Sequence, residues 1–139
     1  MSTTLSTQDL ELLRRPLYGF LTVAGGPQPP QPRPVWFEAA DDGTVQLFTG
    51  PDTAKVRLLQ KDSRASLVVS APVGEREHWV SVAGAVTLEH DGADELLHRL
   101  AARYWDLAVP GRAADLAEMS TQNWLRLVIQ PEKVSSYAM

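Results

Sequence analysis

Hydrophobic and polar residues alternate most clearly between His78 and His90, where valine and leucine recur at every second position. Alternation with a period of two predicts a half-buried β-strand. Gly84 interrupts this pattern, which predicts a bulge, a sharp bend or a close approach of another backbone. Shorter segments of β-branched and aromatic residues lie at 18–24, 35–39, 44–49, 65–70 and 124–130. The chain is therefore predicted to form six or seven strands.

Turn signals separate these strands. Asp41-Asp42-Gly43 between two strand patterns predicts a hairpin, and the prolines of 25–32 predict a stiff hairpin connection. Apolar residues at helical spacing predict helical segments that begin after Ser6 or Thr7 and that span about 54–60, 93–107 and 112–119. Strands joined by short turns imply an antiparallel sheet, which closes well into a barrel with helices packed on it. The predicted class is α+β and mainly β.

Length and composition narrow the function. A chain of 139 residues is expected to form one domain, 1–139, and its 44% hydrophobic and 22% charged residues are typical of a globular protein. It contains no cysteine, which excludes disulfides and thiolate chemistry and fits a reducing cytoplasm. We see no signal peptide and no run of about 18 apolar residues, so a cytoplasmic protein with no membrane partner is expected. The net charge of −4 argues against nucleic acid as a partner, so any anion site must be local.

Several common kinds of active site are not indicated. His78, His90 and His98 have no metal-ligand spacing, and solvated histidines are the simpler interpretation, so no metal site is predicted. The chain lacks a GxSxG motif and a Rossmann glycine fingerprint. No catalytic residue can be assigned from the sequence.

The segment TGPDTAKVR, residues 49–57, is the best candidate for an anion site. A loop that leads into a helix N-terminus offers free backbone N–H groups to an anion. Thr49 and Thr53 add hydroxyls, and Lys55 and Arg57 add positive charge. The alternative is that Thr53 only caps the helix and that the two cations are solvated.

Arg33 strengthens the anion hypothesis. In a hairpin of strands 33–39 and 44–49, the first residue of one strand lies near the last residue of the other, so Arg33 is expected to reach Thr49. Pro34 marks a strand start or an edge. Trp36 and Phe37 point to opposite faces, so one of them is free to cover a flat aromatic ligand, and Phe37 is the better candidate for the core.

These residues resemble the flavin-binding split barrels related to pyridoxamine 5'-phosphate oxidase. The resemblance rests on Arg33-Pro34-Val35-Trp36-Phe37, on Thr49 followed by Lys55, and on the run from Lys55 to Leu67. The strand WVSVAGAVTL and the closing WLRLVIQPEKV extend it to roughly residues 8–137. It implies a split β-barrel.

The resemblance also implies a homodimer with its cofactor at the subunit interface. Arg33, Thr49, Thr53 and Lys55 would then hold the cofactor phosphate, while Trp79 would approach from the other subunit. The full set of candidate cofactor residues is Arg33, Pro34, Val35, Trp36, Thr49, Gly50, Thr53, Lys55, Arg57 and Trp79. The chain is shorter than true pyridoxamine 5'-phosphate oxidases, which argues against the vitamin B6 reaction. Its compact length is similar to the subgroup that uses FMN or the deazaflavin F420.

Three functions follow from this interpretation. The first is an FMN- or F420-dependent oxidoreductase that transfers a hydride to or from a small conjugated substrate. The second is a non-catalytic protein that binds a flavin, haem or another tetrapyrrole on the same barrel. The third is a cofactor-free dimer that has kept only the fold.

Overall fold

The computed structural model describes residues 4–139, which form seven strands and four helices. The elements, in chain order, are α1 (Thr7–Leu13), β1 (Gly19–Val23), β2 (Arg33–Val35), β3 (Glu38–Ala39), β4 (Val45–Thr49), α2 (Ala54–Lys61), β5 (Arg64–Ser70), β6 (His78–Glu89), α3 (Ala93–Tyr104), α4 (Pro110–Met119) and β7 (Leu125–Ala138). No helix within residues 4–139 is both long enough and apolar enough to cross a membrane.

The seven strands form one antiparallel sheet in the order β2-β1-β5-β6-β7-β4-β3. Strands β2 and β3 lie at opposite ends of this order, yet only Trp36 and Phe37 separate them in the chain. The sheet must therefore curl until its two edges come close together. This confirms the predicted α+β split barrel.

Side chains that point into the barrel form its core. Phe37, Leu47, Leu67, Val82 and Leu127 are all fully buried, and each comes from a different part of the curled sheet. Phe37 lies between β2 and β3 and fills the core there, as predicted from the sequence. The curvature thus brings the short edge segments against the long central strands.

The long strands β6 and β7 contain the predicted irregularity at Gly84. Ala83 pairs with Lys133 and Gly84 with Pro131, so Glu132 is an extra residue on β7. A Cβ atom on residue 84 would lie 1.8 Å from the carbonyl oxygen of Gln130. Of the three predicted alternatives, the bulge and the close backbone approach are both present, and the bulge explains how β7 accommodates a proline.

Several predicted boundaries are wrong, including the end of α3, which lies at Tyr104 instead of residue 107. The last strand continues to Ala138 instead of ending at Gln130, because Pro131 lies in the bulge. The predicted strand 35–39 is divided, since Trp36 and Phe37 leave the ladder between β2 and β3. The helix predicted to begin at residue 112 begins at Pro110. Proline is tolerated at the first position of a helix, because its missing N–H would have no partner there.

The prediction of a solvated His78 is also wrong. Its Nε2 atom lies 3.0 Å from Oδ1 of Asp9, and both side chains are largely buried. This contact joins α1 to the start of β6.

Candidate functional site

Two adjoining cavities lie where β2 meets α2, and Lys55 lines both of them. The larger, of about 420 Å³, is lined by Tyr18, Pro34, Val35, Trp36, Phe48, Lys55, Trp105 and Met119. The smaller, of about 190 Å³, is lined by Leu21, Val23, Pro27, Gln31, Arg33, Ala54, Lys55 and Leu58. A volume near 400 Å³ is within the range of small-molecule sites. We call the larger one the ring cavity and the smaller one the tail cavity.

Aromatic rings form the wall of the ring cavity. The Trp36 ring lies edge-on to Trp105 with centroids 4.9 Å apart, and edge-on to Phe48 at 6.3 Å. Trp124 supports Phe48 from behind at 5.1 Å. Such contacts fix the orientation of each ring, so the wall is a firm apolar surface suited to a flat ligand.

Lys55 lies in the first turn of α2, between the two cavities. Its side chain is half-buried, and burial lowers the pKa of Lys55 below the ordinary 10.5. Among residues 4–139 no side chain or carbonyl oxygen forms an ion pair or hydrogen bond with its ammonium group. A desolvated cation without a partner is unfavourable unless an anion joins it.

The structure corrects the hairpin argument for Arg33. Strand β2 pairs with β1, and Arg33 lies opposite Leu21, so it does not share a hairpin with Thr49. Its guanidinium donates hydrogen bonds to the carbonyl oxygen of Pro32 and to Oε1 of Gln31. Arg33 and Lys55 nevertheless both line the tail cavity. The two cations thus share a cavity by a route other than the predicted one.

The threonines at the start of α2 have structural partners. Thr53 is the N-cap residue: its Oγ1 accepts from the backbone N–H of Val56 and donates to the carbonyl oxygen of Gly50. Thr49 is buried, with its Oγ1 3.5 Å from Oγ1 of Thr53. Thr49, Gly50 and Thr53 line neither cavity and shape the loop behind Lys55.

Arg57 and Trp79 lie apart from Lys55. Arg57 is exposed and donates to the carbonyl oxygen of Asp52, 2.8 Å away. Trp79 is on the outward face of β6, between Ser70 and Tyr137 of the neighbouring strands, and lines neither cavity. By contrast Pro34, Val35 and Trp36 all line the ring cavity.

Sequence reasoning missed four residues of the ring cavity: Tyr18, Phe48, Trp105 and Met119. Phe48 and Tyr18 sit at the ends of strand patterns, where an aromatic residue looks like ordinary sheet packing. Trp105 and Met119 follow or end helices that are distant in sequence. Only the packing of α3 and α4 over the barrel brings them to Trp36.

The arrangement favours a particular ligand chemistry. A firm aromatic cavity suits a planar conjugated ring, and a half-buried ammonium at its edge suits an anionic group such as a phosphate. In the first turn of α2 the backbone N–H of Val56 donates to the Thr53 cap, which leaves the N–H groups of Ala54 and Lys55 to an anion. Within residues 4–139 no cluster of histidine, aspartate or glutamate could hold a metal ion.

Comparison with known sequences gives one family. The sequence profile of the family described as pyridoxamine 5'-phosphate oxidase matches residues 5–137. No curated protein sequence matches the chain.

Solved structures share the fold over nearly the whole chain. A conserved hypothetical protein from Mycobacterium tuberculosis superposes with a TM-score of 0.72 at 18% identity, over 97% of this chain and 86% of that one. A structure described as an F420 reductase has a TM-score of 0.69 at 25% identity, over 90% and 94%. A FAD-binding protein from Mesorhizobium loti has a TM-score of 0.64 at 21% identity, over 97% and 96%.

Proposed function

Because the chain belongs to the pyridoxamine 5'-phosphate oxidase family, we propose that it binds FMN or F420 and acts as an oxidoreductase. It transfers a hydride to or from a small conjugated substrate. One observation carries the proposal: Lys55 is half-buried, has no anionic partner among residues 4–139 and stands at the edge of an aromatic cavity. An anionic planar cofactor satisfies both features at once.

Each part of the site has a role in this proposal. Trp36 and the backbone of Val35 would hold the tricyclic ring in the ring cavity. Lys55 and Arg33 hold the phosphate, with the first-turn N–H groups of α2. When bound, the cofactor supplies the hydride chemistry, while the protein binds it, orients it and excludes water.

The choice between FMN and F420 rests on the neighbours. The structure described as an F420 reductase, at 25% identity, supports F420. The protein from Mesorhizobium loti, described as FAD-binding, supports a flavin. Both cofactors place a phosphate and a tricyclic ring on one scaffold, so the cavities suit either.

The first experiment is a titration of the purified protein with FMN and with F420. We expect absorbance and fluorescence changes that saturate with one of them at micromolar concentration. If neither cofactor binds below about 100 μM, the proposal is wrong.

A non-catalytic flavin- or tetrapyrrole-binding protein is the second candidate. The observation that favours it is the scarcity of proton donors: of the residues that line the ring cavity, only Tyr18 and Lys55 carry a side-chain proton suited to acid–base chemistry. Stopped-flow reduction and reoxidation of the bound cofactor separate the candidates. A binding protein holds the pigment without turning over any acceptor, whereas an oxidoreductase cycles it.

The proposal includes a homodimer. Phe20, Val68, Trp79 and Tyr137 all point outward from neighbouring strands and are exposed by 39–49%. A shallow cavity of about 370 Å³, floored by small residues such as Ala83, adjoins them on the same face. Apolar side chains beside a shallow floor suit pairing with a second copy of the chain. In that dimer Trp79 approaches the partner's cofactor.

A further inference from the structure

Tyr104, the last residue of α3, lies directly behind the aromatic wall of the ring cavity. Its ring is parallel to Trp36, with centroids 5.1 Å apart and an interplanar angle of 3°. It also contacts Tyr18, at 6.3 Å and 32°. Trp36 and Tyr18 line the ring cavity, and Tyr104 does not. Tyr104 therefore touches the wall without touching the space where a ligand enters.

The Tyr104 hydroxyl joins the two chain segments that carry these rings. It accepts a hydrogen bond from the backbone N–H of Phe37 at 3.3 Å and donates one to the carbonyl oxygen of Leu17 at 2.7 Å. Phe37 follows Trp36, and Leu17 precedes Tyr18. One phenol thus fixes both rings from their backbones as well as from their faces.

The position of this phenol in the barrel explains its importance. Trp36 and Phe37 lie between β2 and β3, where the sheet ladder is interrupted, and the Tyr104 hydroxyl replaces a missing sheet partner for Phe37. A phenol is protonated at neutral pH even at the ordinary pKa of 10.0, and burial raises the pKa of Tyr104 further, so its hydroxyl remains a donor. The preceding residue, Arg103, donates to the carbonyl oxygens of Leu13 and Arg15 and holds this end of α3 against α1.

We propose that Tyr104 is a positioning residue that fixes the plane and depth of the Trp36 ring, and thereby the orientation in which a flat cofactor enters the ring cavity. The role rests on the proposed function for the identity of the cofactor. The effect of Tyr104 on the position of Trp36 does not depend on which cofactor binds. The positioning role and the proposed function can therefore be tested separately.

The test uses Tyr104→Leu, which removes both the stacked ring and the hydroxyl. Riboflavin, which lacks the phosphate, and FMN are the probes. We expect the variant to bind both probes more weakly by the same factor, between about twofold and tenfold, because an aromatic contact in the wall is lost. The visible circular dichroism of bound FMN should change, since it reports the orientation of the ring.

Two controls give this result its meaning. Val134→Ala makes a hole in the barrel core away from the aromatic wall and is expected to destabilise the protein without altering the dichroism of bound FMN. Lys55→Met is expected to weaken FMN and to leave riboflavin unchanged. If Tyr104→Leu retains the wild-type dichroism, or loses affinity only as Val134→Ala does, the positioning role is wrong.

Measurements without cofactor keep the proposal testable if no flavin binds. Tyr104→Leu should lose the near-ultraviolet dichroism that Trp36→Phe also loses, and acrylamide should quench Trp36 more readily. Tyr104→Phe keeps the stacked ring, and in it the Phe37 amide should exchange hydrogen faster than in the wild type. Unchanged exchange together with unchanged near-ultraviolet dichroism would overturn the inference, whereas failure of wild-type flavin binding alone would overturn only the proposed function.

Discussion

At the scale of single residues, Lys55 combines an energetic cost with the binding role proposed for it. Burial disfavours its charged form, as the lowered pKa shows. Among residues 4–139 no acidic group compensates for it, whereas six of the other twelve lysine and arginine residues form ion pairs. A half-buried charge without a partner lowers the stability of the cofactor-free protein and raises its affinity for an anion.

Lys55→Met should therefore separate stability from binding. We expect the melting temperature of the cofactor-free protein to rise, because a desolvated charge is replaced by an apolar side chain of similar length. FMN should bind more weakly by about 1.5–3 kcal/mol, the contribution of a hydrogen bond to a charged group. Thermal unfolding and FMN titration measure the two effects.

The matched control for this pair of effects is Lys61→Met. Lys61 lies in the last turn of the same helix and is exposed. The Lys61→Met variant should bind FMN with the wild-type affinity. Its stability should differ from that of the wild type by no more than about 0.5 kcal/mol. An unaltered affinity in Lys55→Met would place the phosphate elsewhere.

The pH dependence of FMN binding should report the same lysine. Affinity should rise as the phosphate loses its second proton near pH 6, and fall again as pH passes the lowered pKa of Lys55. Lys55→Arg should remove the fall at high pH, because arginine keeps its charge. Titrations from pH 6 to 10 decide this, and an identical fall in both proteins would contradict it.

The stability of the fold should change with pH in the opposite direction: it should rise in the pH range where the affinity for FMN falls. Between the lowered pKa of Lys55 and its ordinary value of 10.5, the unfolded chain binds more protons at this residue than the folded one. The cofactor-free protein therefore gains stability from Lys55 as pH rises through that interval. Comparison of wild type with Lys55→Met in urea unfolding isolates this contribution, and equal pH profiles would exclude it.

At the scale of elements, the paired strands β6 and β7 depend on one glycine. Gly84→Ala would bring a Cβ within 1.8 Å of the Gln130 carbonyl oxygen, which is backbone and cannot rotate away. We expect destabilisation by about 3 kcal/mol or more, because the bulge must open. Denaturant unfolding measures it.

Gly111→Ala is the control for the same chemical change. Gly111 lies in the first turn of α4, and an added Cβ there meets nothing within 4 Å. This variant should be neutral or more stable by up to about 1 kcal/mol. A Gly84→Ala protein as stable as the wild type would show that the bulge is not rigid.

At the scale of the whole molecule, the outward face of β1, β5, β6 and β7 is the surface proposed for the homodimer. Val68→Asp should convert a dimer into a monomer, because it places a desolvated charge at the centre of that face. Light scattering after size exclusion is expected to give twice the chain mass of 15.3 kDa for the wild type. If the FMN site lies at the interface, the variant should also bind FMN more weakly.

Val73→Asp serves as the control, since Val73 is fully exposed in a turn outside the seven strands. It should leave the mass and the affinity unchanged. A wild-type protein that is monomeric at micromolar concentration would contradict the homodimer.

Much of the fold could be predicted because it depends on local patterns. The alternation in β6 and the Asp-Gly turn before β4 needed no tertiary information. The split at Trp36 and Phe37 could not be predicted, because both residues have strand character and leave the ladder only when the barrel closes. The extension of β7 was missed because proline within a strand pattern normally ends it.

The sequence by itself determined the approximate positions of most elements, an irregularity at Gly84 and the residue types that the proposed anionic planar ligand needs. Only the tertiary structure decided which of them meet. Arg33 lines the same cavity as Lys55 through the β1–β2 pairing instead of a hairpin with Thr49, and Tyr104 stacks on Trp36 from a helix far along the chain. The physical reason is that strand alternation and turn chemistry act over a few residues, whereas the closure of a curled sheet is set by the packing of the whole core.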